Sequence, residues 1–162
     1  MSKKPNTFQK LLHRLAMLKP VSIFLGSSLH YLDSATFKLT NGKHGFAELV
    51  GLPMVEVTTI GAKSGQPRPM PLAAYSDGEN FVLIGSNFGR KHNPGWFYNL
   101  KANPKCTVLI NGQILGYIAR ETSGEERERY WQLAVSYYAG YEKYRERTPH
   151  RQIPVMLLER AK

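Results

Sequence analysis

Residues 107–120 read Thr-Val-Leu-Ile-Asn-Gly-Gln-Ile-Leu-Gly-Tyr-Ile-Ala-Arg. Two apolar runs flank Asn111-Gly112. Asn and Gly tolerate the positive φ that a two-residue hairpin turn needs, so the stretch reads as antiparallel strands over 107–110 and 114–120. Cys106, just upstream in an apolar setting, reads as a buried strand residue. Another hairpin precedes it: Asp77-Gly78 turns a strand over 68–76 into one over 81–85. Pro67, Pro69 and Pro71 restrict ladder bonding in the first of these, which makes part of it an edge. Residues 52–60 are β-branched and extended, and 61–65 form a glycine turn. Residues 153–158 close the chain as another strand.

Helical signals sit between and around these strands. Asn93 is placed to cap a helix, Pro94 suits its first position, and Asn103-Pro104 stops it. Thr122 or Ser123 is placed to cap a second helix with Glu125 and Glu126 in its first turn. It extends to about Tyr138, and a shorter helix follows Gly140 through Arg147. Phe8, Leu11, Leu12, Leu15 and Leu18 give an amphipathic helix over 6–18, ended by Pro20. A further helical stretch covers 21–39, and 41–45 is a loop. About six mostly antiparallel strands with flanking helices, and no alternating βαβ rhythm, make this an α+β chain built on a small β-barrel.

The chain has 162 residues and a net charge of +10, with one cysteine. That length suits one domain, and a lone cysteine excludes an internal disulfide and fits a reducing compartment. No apolar run reaches the ~20 residues of a spanning helix, and no secretory leader is convincing, so a cytoplasmic location is expected. The positive charge suits nucleic acid, an anionic membrane face or a polyanionic ligand. No nucleic-acid motif and no run of four basic residues occur, so nucleic acid is not expected as a partner.

Three constellations can carry chemistry. Gly61-Ala-Lys-Ser-Gly-Gln-Pro-Arg68 frees the backbone and aims Lys63, Ser64 and Arg68 at one anion, or is simply a solvated turn. Residues 86–99 pair Arg90, Lys91 and His92 with a helix N-terminus and with the aromatics Trp96, Phe97 and Tyr98. That suits a flat anionic ligand, or else a helix whose Trp96 packs on the barrel. Tyr138, Tyr141 and Tyr144 lie near one another if their stretch is helical, as pocket lining or as core. No metal-ligand cluster, nucleophile elbow or carboxylate pair is visible. An enzyme built this way would draw its reactivity from an organic cofactor.

Together these motifs resemble the deazaflavin-dependent nitroreductase family, which uses coenzyme F420. The matching residues are 57–68, 86–104, and Tyr138-Ala-Gly-Tyr-Glu-Lys-Tyr144 followed by Arg151-Gln-Ile-Pro-Val155. The resemblance covers roughly 50–160 in unbroken order. It implies a split β-barrel related to FMN-binding oxidoreductases, and hydride transfer from reduced deazaflavin to a quinone, nitroaromatic or activated enone. It implies that Gly61, Lys63, Ser64, Gly65 and Arg68 hold the phosphate and anionic tail, with Arg90 and Lys91 assisting. Pro71, Gly85, Ser86 and Asn87 would flank the ring, and Trp96 and Asn99 would pack near it. Ser86, Tyr138, Tyr141 and Tyr144 would be catalytic, the tyrosines lining the acceptor pocket. The chain departs from many members at Ala62, where a basic residue is usual, and at Asn87, where a lysine is usual.

Within this frame residues 1–45 form an N-terminal amphipathic helical segment and 46–162 the cofactor-binding barrel. Residues 1–32 hold five basic side chains and no acidic one. The 6–19 helix therefore suits either a peripheral contact with the inner membrane face or a cover for the barrel. The alternative to deazaflavin chemistry is the same fold binding FMN, haem or a lipid. The acceptor and the oligomeric state stay open.

Overall fold

The computed structural model describes Asn6, Thr7, Gln9 and residues 51–161. The helices expected over 6–18 and 21–39, the 41–45 loop and the 1–45 segment lie outside the described residues, apart from those three positions.

Six strands close a barrel: β1 Met54–Ile60, β2 Pro67–Asp77, β3 Asn80–Ile84, β4 Lys105–Ile110, β5 Gln113–Glu121 and β6 Val155–Arg160. Within the described residues 51–161 the α-helices are α1 Gly95–Ala102, α2 Gly124–Tyr137 and α3 Gly140–Arg147. Around the barrel the order is β1-β2-β3-β6-β5-β4, and every pairing is antiparallel. The split β-barrel with flanking helices is therefore present.

Local chemistry explains each join. Ile110 pairs with Gln113 across Asn111-Gly112, whose φ values are 51° and 77°, so both turn residues occupy the conformation that Asn-Gly favours. Asp77 pairs with Asn80, which makes Gly78-Glu79 the turn of the β2–β3 hairpin, one residue later than expected. The β2 prolines fall on one edge. Ala74 N–H donates to Pro53 O on the β1 side. Alternate N–H groups point to opposite edges, so Pro67, Pro69 and Pro71 all lack the donor that would face away from β1. β3 covers β2 only from Ala74 onward, so no ladder bond is lost. β6 starts at Val155 rather than Ile153 because Pro154 intervenes.

Two cores share one wall. Val55, Val57, Phe81, Leu83, Val108, Met156 and Leu158 fill the barrel, and Trp96, Phe97 and Leu100 of α1 plug its end. Outside the barrel, Tyr75, Val82, Ile84, Val155 and Leu157 meet Trp131, Tyr138, Tyr141 and Tyr144 of the α2–α3 region. β3 and β6 are thus buried on both faces, which is why 81–84 and 155–158 carry continuous apolar runs without alternation.

Two capping expectations are corrected. Pro94, not Asn93, occupies the cap position of α1, and no side chain caps it, because Asn93 Oδ1 accepts from Arg151 Nη1 at 2.6 Å. Ser123 precedes α2 but makes no cap bond, while Thr122 Oγ1 donates to Val155 O at 3.0 Å and ties β5 to β6.

Gly140 opens α3 directly beneath the Tyr138 ring, where an added Cβ would collide with the ring carbons and the hydroxyl. Gly140→Ala is expected to displace Tyr138 and lower stability by about 1–3 kcal/mol. Thermal or urea denaturation of the variant checks this.

Candidate active site

The 61–68 turn is held rigidly. Gly61 N–H donates to Gln66 O at 2.9 Å and Gly65 N–H to Gly61 O at 2.8 Å. Gly65 sits at φ +66°, and a Cβ on Gly61 would strike Ser64 Oγ. Ser64 Oγ accepts from Gln66 N–H at 3.3 Å and Arg68 Nη2 at 3.4 Å. Lys63, Ser64 and Arg68 are all exposed. Among the described residues neither Lys63 nor Arg68 has a carboxylate partner. Pro71 is buried further along β2.

Asn99 joins this turn to α1. Its Oδ1 accepts from Ala62 N–H and its Nδ2 donates to Thr59 Oγ1, both at 3.0 Å. Thr59 is buried, so the strut is anchored in the barrel wall. The α1 N-terminus lies one helical turn from Asn99. Phe97 N–H donates to Pro94 O at 3.1 Å and no side chain caps this turn, which leaves the Gly95 and Trp96 amides as donors toward an anion.

The second loop leaves β3. Gly85 N–H donates to Pro154 O at 2.8 Å, and Ser86 is buried. Asn87, Phe88 and Gly89 then take φ of 49°, 56° and 72°. Asn and Gly tolerate this region, whereas Phe does so only under constraint. The constraint is visible: Gly89 N–H donates to Ser86 O, Arg90 N–H to Asn87 O, and Asn87 Nδ2 to His92 O. Asn87 is therefore a loop fastener. Arg90, Lys91 and His92 stay exposed. Of the aromatic triplet, Trp96 is 6% exposed inside the barrel core and Tyr98 is 50% exposed. The indole thus fills the barrel end, as the packing alternative had it.

The tyrosines converge, but not along one helix. Tyr138 lies in the break between α2 and α3, and Tyr141 and Tyr144 lie on α3. Tyr138 and Tyr144 share a hydroxyl bond of 3.0 Å, and Tyr141 shares one of 2.8 Å with Tyr75. All four are buried. Burial pushes each phenol above its ordinary pKa, most strongly for Tyr75 and Tyr138. They remain protonated through the neutral range and can act as hydrogen-bond donors. Phe88 stands edge-on to Tyr144, with centroids 6.2 Å apart, so the 85–93 loop and the tyrosine cluster touch.

Two contributors escaped the sequence reading of the site. Tyr75 sits on β2, 63 positions from the first of the clustered tyrosines (138 − 75). Arg151 fell inside a quoted motif without a role, yet its guanidinium reaches four residues of the 85–93 loop. Neither has a local signal, because both roles come from strand pairing across the barrel.

Among the described residues no group of three His, Cys, Asp or Glu side chains is placed to hold a metal, and no helix is long and apolar enough to cross a membrane. The donor set, cations and amides beside neutral buried phenols, suits an anionic organic ligand.

Comparison with known proteins supplies the family. The F420H(2)-dependent quinone reductase family model matches residues 31–160. An F420H(2)-dependent quinone reductase of Mycobacterium tuberculosis is 33% identical over 139 residues, covering 84% of this chain and 93% of its own. A solved F420-H2 dependent reductase is 41% identical with a TM-score of 0.61, covering 66% of this chain and 94% of that one. Another solved chain, described as a domain-swapped dimer, is 35% identical with a TM-score of 0.63, covering 80% and 97%. The barrel, the two basic loops and these matches lead to one conclusion: the chain belongs to the F420H2-dependent quinone reductases, oxidoreductases whose cofactor is coenzyme F420.

Proposed function

We propose that F420 lies along the face formed by the 61–68 turn, the 85–93 loop and the start of α1. Lys63, Ser64 and Arg68 take the phosphate, Arg90 and Lys91 the anionic tail, and Pro71, Gly85, Ser86 and Asn87 border the ring. The observation that supports this most directly is the Asn99 strut, which holds a turn whose cations have no carboxylate partner among the described residues one helical turn from a helix start without a side-chain cap. These residues fit the cofactor's chemistry: charge-assisted donors on glycine-freed backbone suit a phosphate. Asn87 Nδ2 is already engaged by His92 O, so the position where the resemblance leads one to expect a lysine braces the loop here, and Ala62 offers Asn99 only its backbone N–H.

When bound, the reduced deazaflavin supplies a hydride. The chain's part is to orient and to stabilise. Trp96 and Asn99 act from beneath, packing and bracing the platform. Ser86 borders the reacting region. Tyr138, Tyr141 and Tyr144 shape the acceptor pocket, and their protonated hydroxyls stabilise charge that builds on an acceptor oxygen. In a phenol pair one hydrogen is used, and the accepting hydroxyl keeps its own for a third group. Quinones carry such an oxygen. Nitroaromatics and activated enones carry one too, and we extend the acceptor range to them on that ground.

Lys63→Ala is expected to weaken F420 binding tenfold or more, since one charge-assisted hydrogen bond contributes about 1.5–3 kcal/mol. The loss should shrink as salt rises. Fluorescence titration measures it, and an unchanged dissociation constant at low salt would sink the assignment.

Phe replacements at Tyr138, Tyr141 and Tyr144 are expected to change quinone turnover while F420 affinity stays within about twofold, or ~0.4 kcal/mol. Steady-state kinetics beside the same titration separates the two effects. Loss of cofactor binding in all three variants would move the tyrosines to the cofactor site.

A lipid-soluble acceptor gives the basic 6–19 segment, expected from its sequence to be helical, a purpose at an anionic membrane face, where each basic residue is worth about 1 kcal/mol. Full-length protein is expected to sediment with anionic liposomes in low salt, and a chain starting near Leu29 is not. Equal, salt-independent partitioning would assign that segment to covering the barrel.

A further inference from the structure

The turn that follows β3 is conformationally expensive, with Phe88 in the left-handed region between Asn87 and Gly89. Such a turn persists only where its surroundings over-determine it. The surroundings here converge on one side chain. Arg151 Nη2 donates to Ser86 O at 2.8 Å and to Arg90 O at 3.1 Å, and Nε donates to Arg90 O at 3.3 Å. Nη1 reaches Asn93 Oδ1 at 2.6 Å and Gly85 O at 3.4 Å. One guanidinium therefore fastens the loop at its entry, its first turn, its middle and its exit. All its acceptors are neutral oxygens, and among the described residues no carboxylate pairs with it.

Arg151 is itself held at a fixed distance from the tyrosines. Thr148 is buried, its hydroxyl donates to Tyr144 O at 2.9 Å, and Arg151 N–H donates to Thr148 O at 3.1 Å. The segment from Tyr144 to Arg151 is thus a short strut, with a tyrosine of the acceptor cluster at one end and the loop clamp at the other. Phe88 closes the circuit by packing edge-on against Tyr144.

We infer that Arg151 is a positioning residue for cofactor binding, holding the 85–93 loop in its left-handed turn so that the loop's residues meet F420 already in place. The inference rests on the assignment of that loop to F420. Preorganisation raises affinity by removing the ordering cost from the binding step. Shape is the property that matters: a lysine would keep the charge, but its point ammonium cannot span four residues as a planar fork does.

Arg151→Lys in the full-length chain tests this with two readouts. Hydrogen exchange without cofactor is expected to quicken at least tenfold for the amides of Gly89 and Arg90, while Val82 in β3 and Leu157 in β6 stay protected. Titration with F420 is expected to show about tenfold weaker binding with the same salt dependence as the unaltered protein. Asn93→Ala, which removes one of the clamp's acceptors, should give a smaller change of the same kind. Unchanged loop exchange in Arg151→Lys would overturn the clamp. Faster exchange with unchanged F420 affinity would overturn the positioning role. Full affinity in Arg151→Lys but lost affinity and a flattened salt slope in Arg151→Gln would show a direct charge contact and overturn it too. An unaltered protein that fails to bind F420 would sink the cofactor assignment itself, and the exchange data alone would then decide the clamp.

Discussion

The wall shared by β3 and β6 is the constraint on which the rest of the molecule depends. Val82 and Leu83 are neighbours in sequence and face different cores. Leu157 and Leu158 do the same one strand over, paired with Val82 and Phe81. Neither face can meet water, so the barrel must be plugged on one side by α1 and covered on the other by α2 and α3. The two ends of the wall are then fixed. At one end the chain leaves β3 through Gly85, and close by it enters β6 through Pro154, the two joined by a 2.8 Å backbone bond. The loop, Arg151 and the tyrosine cluster all issue from that corner. A Cβ on Gly85 would strike the Pro154 ring, so the corner itself requires glycine.

Two electrostatic regimes meet at this corner. On the outer side stand exposed cations, Lys63, Arg68, Arg90 and Lys91, in water, on backbone that glycine leaves open. On the inner side stand four phenols out of water, linked in pairs. Each regime suits one half of a hydride transfer. An anionic tail is held by long-range attraction and by donors that stay solvated until it arrives. The reacting end needs a dry, uncharged surface whose dipoles are already oriented, because reorienting water would raise the barrier. The Asn99 strut and the Arg151 clamp each join a polar loop to the packed interior, so the two regimes keep their spacing.

Much of this was legible in the sequence because it is written locally. Asn111-Gly112 names its own turn type. Prolines at alternate positions of β2 announce an edge. The order of the 57–68, 86–104 and 138–155 motifs carries the family. What was hidden depends on pairing between distant strands. Asn93 looks like a cap until Arg151, 58 positions later, claims its oxygen. Thr122 looks like a cap until Val155 accepts its hydroxyl. Trp96 follows a cationic loop and so looks like a ligand platform, yet helix geometry turns it and Phe97 inward and leaves Tyr98 outside. Local propensity was not wrong in these places; a tertiary partner outcompeted it.

The tyrosine cluster shows the same contest inside the candidate site. Spacing of three along a continuous helix would have put Tyr138, Tyr141 and Tyr144 on one stripe. The chain breaks instead between Tyr137 and Gly140, and Tyr138 folds back over the glycine to reach Tyr144 across the break. On a continuous helix three-residue steps of about −60° would fan the rings over about 120° and hold the Tyr138 and Tyr144 hydroxyls apart. The break lets two hydroxyls meet head-on at 3.0 Å and leaves Tyr141 to pair with Tyr75 from the barrel wall. The helix gives up backbone bonds at that joint, and in return the hydroxyls are locked in direction within the dry core outside the barrel. A local defect in secondary structure is thus what fixes the direction of the buried hydroxyls.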